Sequence, residues 1–322
     1  MKLAATHQVK RVTRMCTAVS FWSTEHHRYF GRTMDFPVKN TPWNLTYLPK
    51  GYLWRPLAPQ AAYPSKYAIL GGMRRVDDYY LIGDGFNQAG LAVAELYFPG
   101  QVDYAARAQP GKINLSPQDV IGYLLGNCAN ISEVAALLPR LAITNRQWYD
   151  HDIIHPFHWF IQDASGTYLL EPTSPTLSLQ RVELGVLTNS PTYANHLRRL
   201  RSFLGLSADA PLKTVEEALK DYQGDLPQAR SPRSRFIATS IRLAHQLPVD
   251  DHQAVAQSMK VLGAVKMAHL PGHDDFTHYL GMADLNSLRY FFTPVPEMTT
   301  ITQSLPALIA KYSTPQVLSQ VP

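Results

Sequence analysis

Cysteine is almost missing from this chain: its 322 residues contain two, Cys16 and Cys128. Two cysteines exclude a disulfide framework and a cysteine-rich zinc site, so nothing in the chain calls for an oxidising compartment. Long apolar runs are missing as well. Residues 1–15 offer no signal-peptide core, and no later segment has the continuous apolar residues of a membrane span. A cytoplasmic protein with no membrane partner is expected. Internal repeats and low-complexity tracts are absent. Charge of one sign is not concentrated either: 30 Lys and Arg face 25 Asp and Glu, a net charge of +5. The basic residues gather only at Lys10 to Arg14, Arg198 to Arg201 and Arg230 to Arg235, a poor footprint for nucleic acid.

What is present describes a globular protein with ample core, at 45% hydrophobic and 17% charged residues. The length would hold two average domains, yet layered folds of α and β often use it as one. We read residues 16–322 as a single domain and 1–15 as an N-terminal extension. That extension is either a propeptide that is removed or a stretch never translated, with the true start at Met15.

The most informative stretch is Met15-Cys16-Thr17-Ala18-Val19-Ser20-Phe21, followed by Tyr29-Phe30-Gly31-Arg32-Thr33-Met34-Asp35-Phe36. If everything up to Met15 is removed, Cys16 carries both a thiol and a free amine, whose ordinary pKa is about 7.7–8.0. That amine can act as the general base, and no histidine partner is then required. Arg32 and Asp35, three apart, would lie on opposite faces of an ideal strand, so a bulge or a strand end is needed to bring both to Cys16. The competing reading is a buried structural cysteine near an ordinary ion pair.

The two β-rich runs flank the polar Ser23 to Arg28 and form a hairpin, with His26-His27 in a solvated turn. Pro37 to Pro64, with Trp43, Tyr47, Tyr52, Trp54 and Tyr63, is expected to be an aperiodic loop, either a lid or pocket wall or an irregular surface cover. Tyr79 to Asp84 and Leu91 to Phe98 are strands joined by a turn at Asn87 and Gly90. Ser116-Pro117-Gln118-Asp119 opens a helix and Ser132-Glu133 a second, with a structural Cys128 between them. Strands follow at His158 to Gln162, Thr167 to Glu171, Ser178 to Arg181 and Gly185 to Thr188. Helices are expected over Tyr193 to Leu204, Thr214 to Tyr222, Arg235 to Leu247 and Asp251 to Val265. The chain returns to strands at Phe276 to Leu285 and Leu288 to Thr293, then a helix at Ser304 to Tyr312. Two antiparallel sheets stacked face to face and covered by helices, an α+β architecture, would satisfy these apolar faces. The strongest rival constellation is Asp150, His155 and His158 as the ligands of a metallohydrolase, though Pro156 breaks any helix that would align the histidines. A non-catalytic binding protein is the other class left open.

The Cys16 stretch resembles the start of the choloylglycine hydrolase family, which holds bile salt hydrolases and penicillin V acylases, N-terminal nucleophile hydrolases that cut linear amides. The resemblance recurs at Asn87 to Phe98, His158-Trp159 to Glu171, Leu187-Thr188-Asn189-Ser190-Pro191, Ser234-Arg235-Phe236 and Thr277-His278-Tyr279, and so spans most of the chain from Met15 to about Thr293. It implies an αββα four-layer sandwich, a small-molecule amide substrate, no metal and no cofactor. Carried over residue by residue, Cys16 is the nucleophile, and Arg32 stands beside its sulfur, where positive charge favours thiolate. Asp35 binds and orients the amine. Asn189 donates to the oxyanion from its side chain, Tyr97 from its backbone N–H, and Arg235 is the last arginine of the site.

Tyrosine at 97, Thr188 to Pro191 and Leu125-Gly126-Asn127-Cys128 look more like the penicillin V acylases, where bile salt hydrolases carry asparagine at the position of Tyr97. Penicillin V is therefore the expected substrate, with conjugated bile salts and N-acyl homoserine lactones as alternatives. A homo-oligomer, tetramer or dimer, is implied. The loop that supports the tetramer in relatives is shortened here to Leu226-Pro227-Gln228-Ala229-Arg230, which argues against that assembly.

Overall fold

The structure, a computed structural model, describes residues 15–37, 42–57, 59–147, 154–269, 275–295 and 299–319. The expected hairpin forms from Thr17–Trp22 and Arg28–Pro37, paired from Thr17↔Thr33 to Trp22↔Arg28. It lies inside a six-stranded antiparallel sheet ordered Val186–Thr188, Thr17–Trp22, Arg28–Pro37, Asp275–Asp284, Arg289–Pro294, Ile301–Ser304. An eight-stranded antiparallel sheet is ordered Leu179–Arg181, Gly166–Leu170, Phe157–Asp163, Ala92–Tyr97, Tyr79–Asn87, Ile69–Val76, Trp43–Leu48, Gln316–Val317.

Helices Asp119–Asn127 and Ile131–Leu137 pack on the eight-stranded sheet. Pro232–Gln246 and Asp251–Gly263 cover the six-stranded sheet, and Tyr193–Phe203 and Leu212–Asp221 pack against Pro232–Gln246. This is the four-layer αββα sandwich. Both sheets are interior layers with helices outside and the other sheet inside, so their strands give up polar alternation. Every residue of Tyr79–Asn87 is buried, as is all of Thr17–Trp22 except Trp22. One core joins the space between the sheets to the helices over the six-stranded sheet, through Val19, Phe30, Leu45, Phe86, Phe160, Phe236 and Ile241. A second lies between the eight-stranded sheet and its helices, around Ile82, Val93, Leu124, Trp159 and Ile161.

Two departures from expectation matter for the site. Pro37 to Pro64 is not one loop, because Trp43–Leu48 is a strand paired with Ile69–Val76. Its Trp43, Leu45 and Tyr47 alternate into the inter-sheet core, a signal hidden by the prolines on either side. Ile69–Val76 itself gave no strand signal because Gly71-Gly72 interrupt it. A Cβ on Gly72 would come 2.1 Å from the Tyr279 hydroxyl, and one on Gly71 would come 2.1 Å from the Asp84 carbonyl oxygen. The chains approach so closely there that only glycine fits.

Smaller differences concern helix starts. The helix placed at Ser116 begins at Asp119, because the Ser116 hydroxyl donates to the Asp119 carboxylate at 2.8 Å and holds the preceding turn. The next begins at Ile131, capped by the Asn130 side chain, which accepts the Glu133 N–H.

Candidate active site

Cys16 lies one residue before the strand Thr17–Trp22. Thr17 pairs with Thr188 on one side and Thr33 on the other, so the next step places Cys16 opposite Asn189 and Met34. The thiol is 3% exposed, at the head of a cleft.

Arg32 turns towards the eight-stranded sheet. There the pairing jumps from Gly72↔Asp84 to Met73↔Ile82, leaving Gly83 as an extra residue, and Ala92–Tyr97 no longer pairs with Tyr79–Asn87 beyond Ala94. Into this splay Arg32 inserts its guanidinium. Nη1 donates to the carbonyls of Gly83 at 2.6 Å and Glu95 at 2.9 Å, and Nε donates to Thr33 O at 3.0 Å. Nη2 is thereby aimed at Cys16 Sγ, 2.9 Å away.

Asp35 obeys strand alternation and turns the other way, to the helical side. Its carboxylate accepts from Arg235 Nη1 at 2.6 Å, from Thr33 Oγ1 at 3.1 Å and from the Thr277 hydroxyl. The neighbouring strand carries a bulge, where the register shifts between Thr277 and Tyr279 opposite Asp35 and Met34. The two faces meet because Cys16 lies at the strand end, and its thiol also reaches the Asp35 carbonyl at 3.5 Å. Arg235 comes from the first turn of Pro232–Gln246, whose start is set by a Ser231–Ser234 capping box with Pro232 at the first position. It is fully buried, and its Nε and Nη2 have no hydrogen-bond partner.

Burial dominates the electrostatics. It pushes the Cys16 thiol above its ordinary value, against the lowering pull of Arg32 and the smaller one of Arg235, with Asp35 adding to the rise. Arg32 pulls towards thiolate, as its charge leads one to expect, but burial outweighs it. Asp35 is also raised by burial, opposed by Arg235, Thr277, Arg32 and Thr33.

Asn189 ends the strand Val186–Thr188, and its Nδ2 donates to Tyr97 O at 2.6 Å, leaving a second amide hydrogen for another acceptor. The Asn189 carbonyl is held by His196 Nε2 at 2.8 Å, and that ring stacks on Phe236 at 4.7 Å. Burial lowers the His196 pKa to about 4, so this imidazole is neutral and can donate its ring N–H to the carbonyl. The structure thus brings Cys16, Arg32, Asp35, Tyr97, Asn189 and Arg235 to one locus, although they come from four separate strands or strand ends and one helix.

The cleft beyond Cys16 is walled by Met34, Phe36, Trp43, Leu81, Tyr97 and Phe157. Of the five aromatics expected to form its wall, Trp43 does so, whereas Tyr52, Trp54 and Tyr63 pack into the core under the outer helices. Two wall residues escaped the sequence reading. Glu95 and Gln118 line the same cleft, 7% and 5% exposed, and Glu95 Oε2 and both polar atoms of Gln118 have no hydrogen-bond partner. Each such orphan costs about 1–3 kcal/mol. The Cβ of Glu95 follows from strand alternation, but a lone acid in an apolar strand gives no sign of what it faces.

Among the described residues the metal constellation is not assembled. Asp150 lies outside the described residues, His155 stacks on Phe157 in the cleft wall, and His158 turns to Glu171 at 3.5 Å while stacking on Phe98. Among the described residues no group of three or more His, Cys, Asp or Glu is placed to hold a metal ion, and no helix is long and apolar enough to cross a membrane.

Comparison with known proteins follows the same outline. The family model of linear amide C-N hydrolases, choloylglycine hydrolase family, matches residues 16–307. A bile salt hydrolase/transferase of Lactiplantibacillus plantarum is 27% identical over 293 residues, covering 86% of this chain and 88% of that protein. Among solved structures, the conjugated bile acid hydrolase from Clostridium perfringens superposes with a TM-score of 0.80 at 23% identity, covering 95% of this chain and 97% of that one. The penicillin V acylase from Agrobacterium tumefaciens superposes with a TM-score of 0.69 at 22% identity, covering 91% and 87%. At those identities the two structures speak for the fold.

Proposed function

Because the chain belongs to the choloylglycine hydrolase family of linear amide C–N hydrolases, we propose that it cleaves conjugated bile salts with Cys16 as an N-terminal nucleophile. The observation that carries the chemistry is the 2.9 Å contact between Arg32 and the Cys16 sulfur, beside the buried Asp35–Arg235 ion pair. The reading of Tyr97 favoured penicillin V. Support for bile salts is broader, since the named relative that aligns over most of both chains acts on them.

In this mechanism the protein begins at Cys16, and the α-amine, oriented by Asp35, takes the thiol proton. Burial has raised the thiol, so an internal base is what makes attack feasible at neutral pH. The sulfur attacks the amide carbonyl carbon, and the oxyanion is met by Asn189 Nδ2 and the Tyr97 N–H. Preorganised donors of this kind are worth about 2.7–4 kcal/mol each. The ammonium passes its proton to the leaving nitrogen as the C–N bond breaks, leaving a thioester. Water, deprotonated by the same amine, attacks the thioester and releases the acid, and the thiolate recovers its proton. Arg32 steadies the sulfur whenever it carries negative charge.

Penicillin V is the second reading, supported by Tyr97 and by flat rings around the cleft such as Phe36 and Trp43, whose centroids are 6.0 Å apart. The deciding experiment measures kcat/KM for glycocholate, taurocholate and penicillin V with protein starting at Cys16. A tenfold preference for penicillin V, about 1.4 kcal/mol, would sink the bile salt reading. Full activity with Met15 still attached would sink the amine as base.

A further inference from the structure

Among the polar side chains of the cleft wall that the hydrolytic steps do not use are Glu95 and Gln118. Glu95 comes from the strand Ala92–Tyr97, directly opposite Trp159 in the ladder, and Gln118 immediately precedes the helix Asp119–Asn127. They share the cleft wall with the apolar Trp43, Leu81 and Phe157 and with the buried Arg74 and His155.

Buried polar atoms in native proteins are nearly always paired. Here Glu95 Oε2 and the Nε2 and Oε1 of Gln118 are buried and have no partner. Asp119, the next residue, is by contrast fully occupied by Tyr79, Ser116 and the Leu57 N–H. The chain therefore satisfies its polar groups on the packed side of this helix start and leaves them open on the cleft side. The Trp159 indole N–H lies near enough to influence the Glu95 carboxyl without meeting hydrogen-bond geometry.

We propose that Glu95 and Gln118 form a polar subsite that binds a hydroxyl group on the acyl part of the substrate. A hydroxyl both donates and accepts. Gln118 Oε1 can take its proton, while Gln118 Nε2–H or a protonated Glu95 donates to its oxygen. Burial, with Asp119 adding to it, raises the Glu95 pKa well above the ordinary carboxylate range despite Arg32, which keeps a proton available there. The consequence is discrimination: a site built to bond a hydroxyl leaves its own groups unpaired when a deoxy analogue binds. The proposal deepens the amide hydrolase reading by naming the acyl class, and it rests on the same cleft.

The test is binding rather than turnover, so that it stands apart from the activity itself. Calorimetric titration of protein with the Cys16→Ala exchange would use two matched pairs of free acids: cholate against its 12-deoxy counterpart, and 4-hydroxyphenylacetate against phenylacetate. In at least one pair the hydroxylated acid should bind tenfold or more tightly, and Gln118→Leu and Glu95→Met should each bring that ratio to within about threefold of unity. Because both exchanges remove orphaned groups, the Tm of each should hold or rise. Binding of neither pair, equal binding within both pairs, or a ratio unchanged by both exchanges would overturn the proposal. So would a lower Tm in both variants with the ratio retained, which would make the pair structural. Failure of glycocholate hydrolysis, measured separately, would strike the activity reading and leave this binding result to be judged by itself.

Discussion

The two cysteines sit in contrasting neighbourhoods. Both are buried, Cys16 3% and Cys128 4% exposed, and burial pushes both thiols up, Cys128 to about 12. What differs is the company. Cys128 follows the helix Asp119–Asn127, where Glu133 adds to the effect of burial and Lys66 only partly offsets it. Cys16 has a fully buried guanidinium at 2.9 Å, locked by three backbone carbonyls, and a carboxylate-bearing residue beside it. Burial alone makes a cysteine inert. A fixed cation, a neighbouring base and oxyanion donors are what can turn such a residue into a nucleophile, and the structure places a buried guanidinium against the sulfur of Cys16.

The sharpest way to break that contrast is to remove the sulfur. Cys16→Ala should lower amide hydrolysis by on the order of 10⁴-fold or more, with circular dichroism unchanged; substantial residual turnover would dismiss Cys16 as nucleophile. Next comes the proposed oxyanion donor. Asn189→Ala should reduce kcat by roughly 10²–10³, and an unchanged rate in folded protein would leave Asn189 as a strand-end residue.

Acid probes the support behind Asn189. The native His196 has a pKa lowered to about 4, while in the unfolded chain it returns to about 6.5. Between those values the unfolded chain holds more protons, so stability is complete above about pH 6.5 and falls as pH drops towards 4, by on the order of 3 kcal/mol at most. Tm measured against pH should show this slope, and His196→Gln should flatten it. An identical slope in that variant would acquit His196.

Alkylation compares the thiols directly. At pH 8 iodoacetamide should modify Cys16 about tenfold or more faster than Cys128, because a nearby cation lowers a thiol by a unit or more relative to the same site without it. Arg32→Leu should erase most of the difference, as read by mass spectrometry. Smallest of all is Cys128→Ala, expected to cost about 1 kcal/mol of stability with kcat within twofold; a large loss of rate would make the two cysteines alike after all.

Strands and helices in this chain were legible wherever a local pattern carries them. The hairpin around Ser23 to Arg28 and the helices over Tyr193–Phe203 and Asp251–Gly263 follow from apolar runs, caps and turn residues close in sequence. Trp43–Leu48 and Ile69–Val76 were not legible, since prolines masked the first and the close-approach glycines Gly71-Gly72 the second.

By itself the sequence determined the elements that carry a local pattern, the singular position of Cys16 before a β-run, and the family motif that pointed to Arg32, Asp35, Tyr97, Asn189 and Arg235. Tertiary structure alone decided how those residues meet. Arg32 reaches the sulfur because two strands of the other sheet splay and offer the carbonyls of Gly83 and Glu95. Asp35 meets Arg235 across 200 positions of chain because a helix of the outer layer starts over the end of the sheet. The net protonation of Cys16, and the orphaned Glu95 and Gln118, depend likewise on how many layers exclude water there. Local periodicity records how a segment is shaped, whereas burial and long-range hydrogen bonds are properties of the packed layers, and no segment carries them before the sandwich closes.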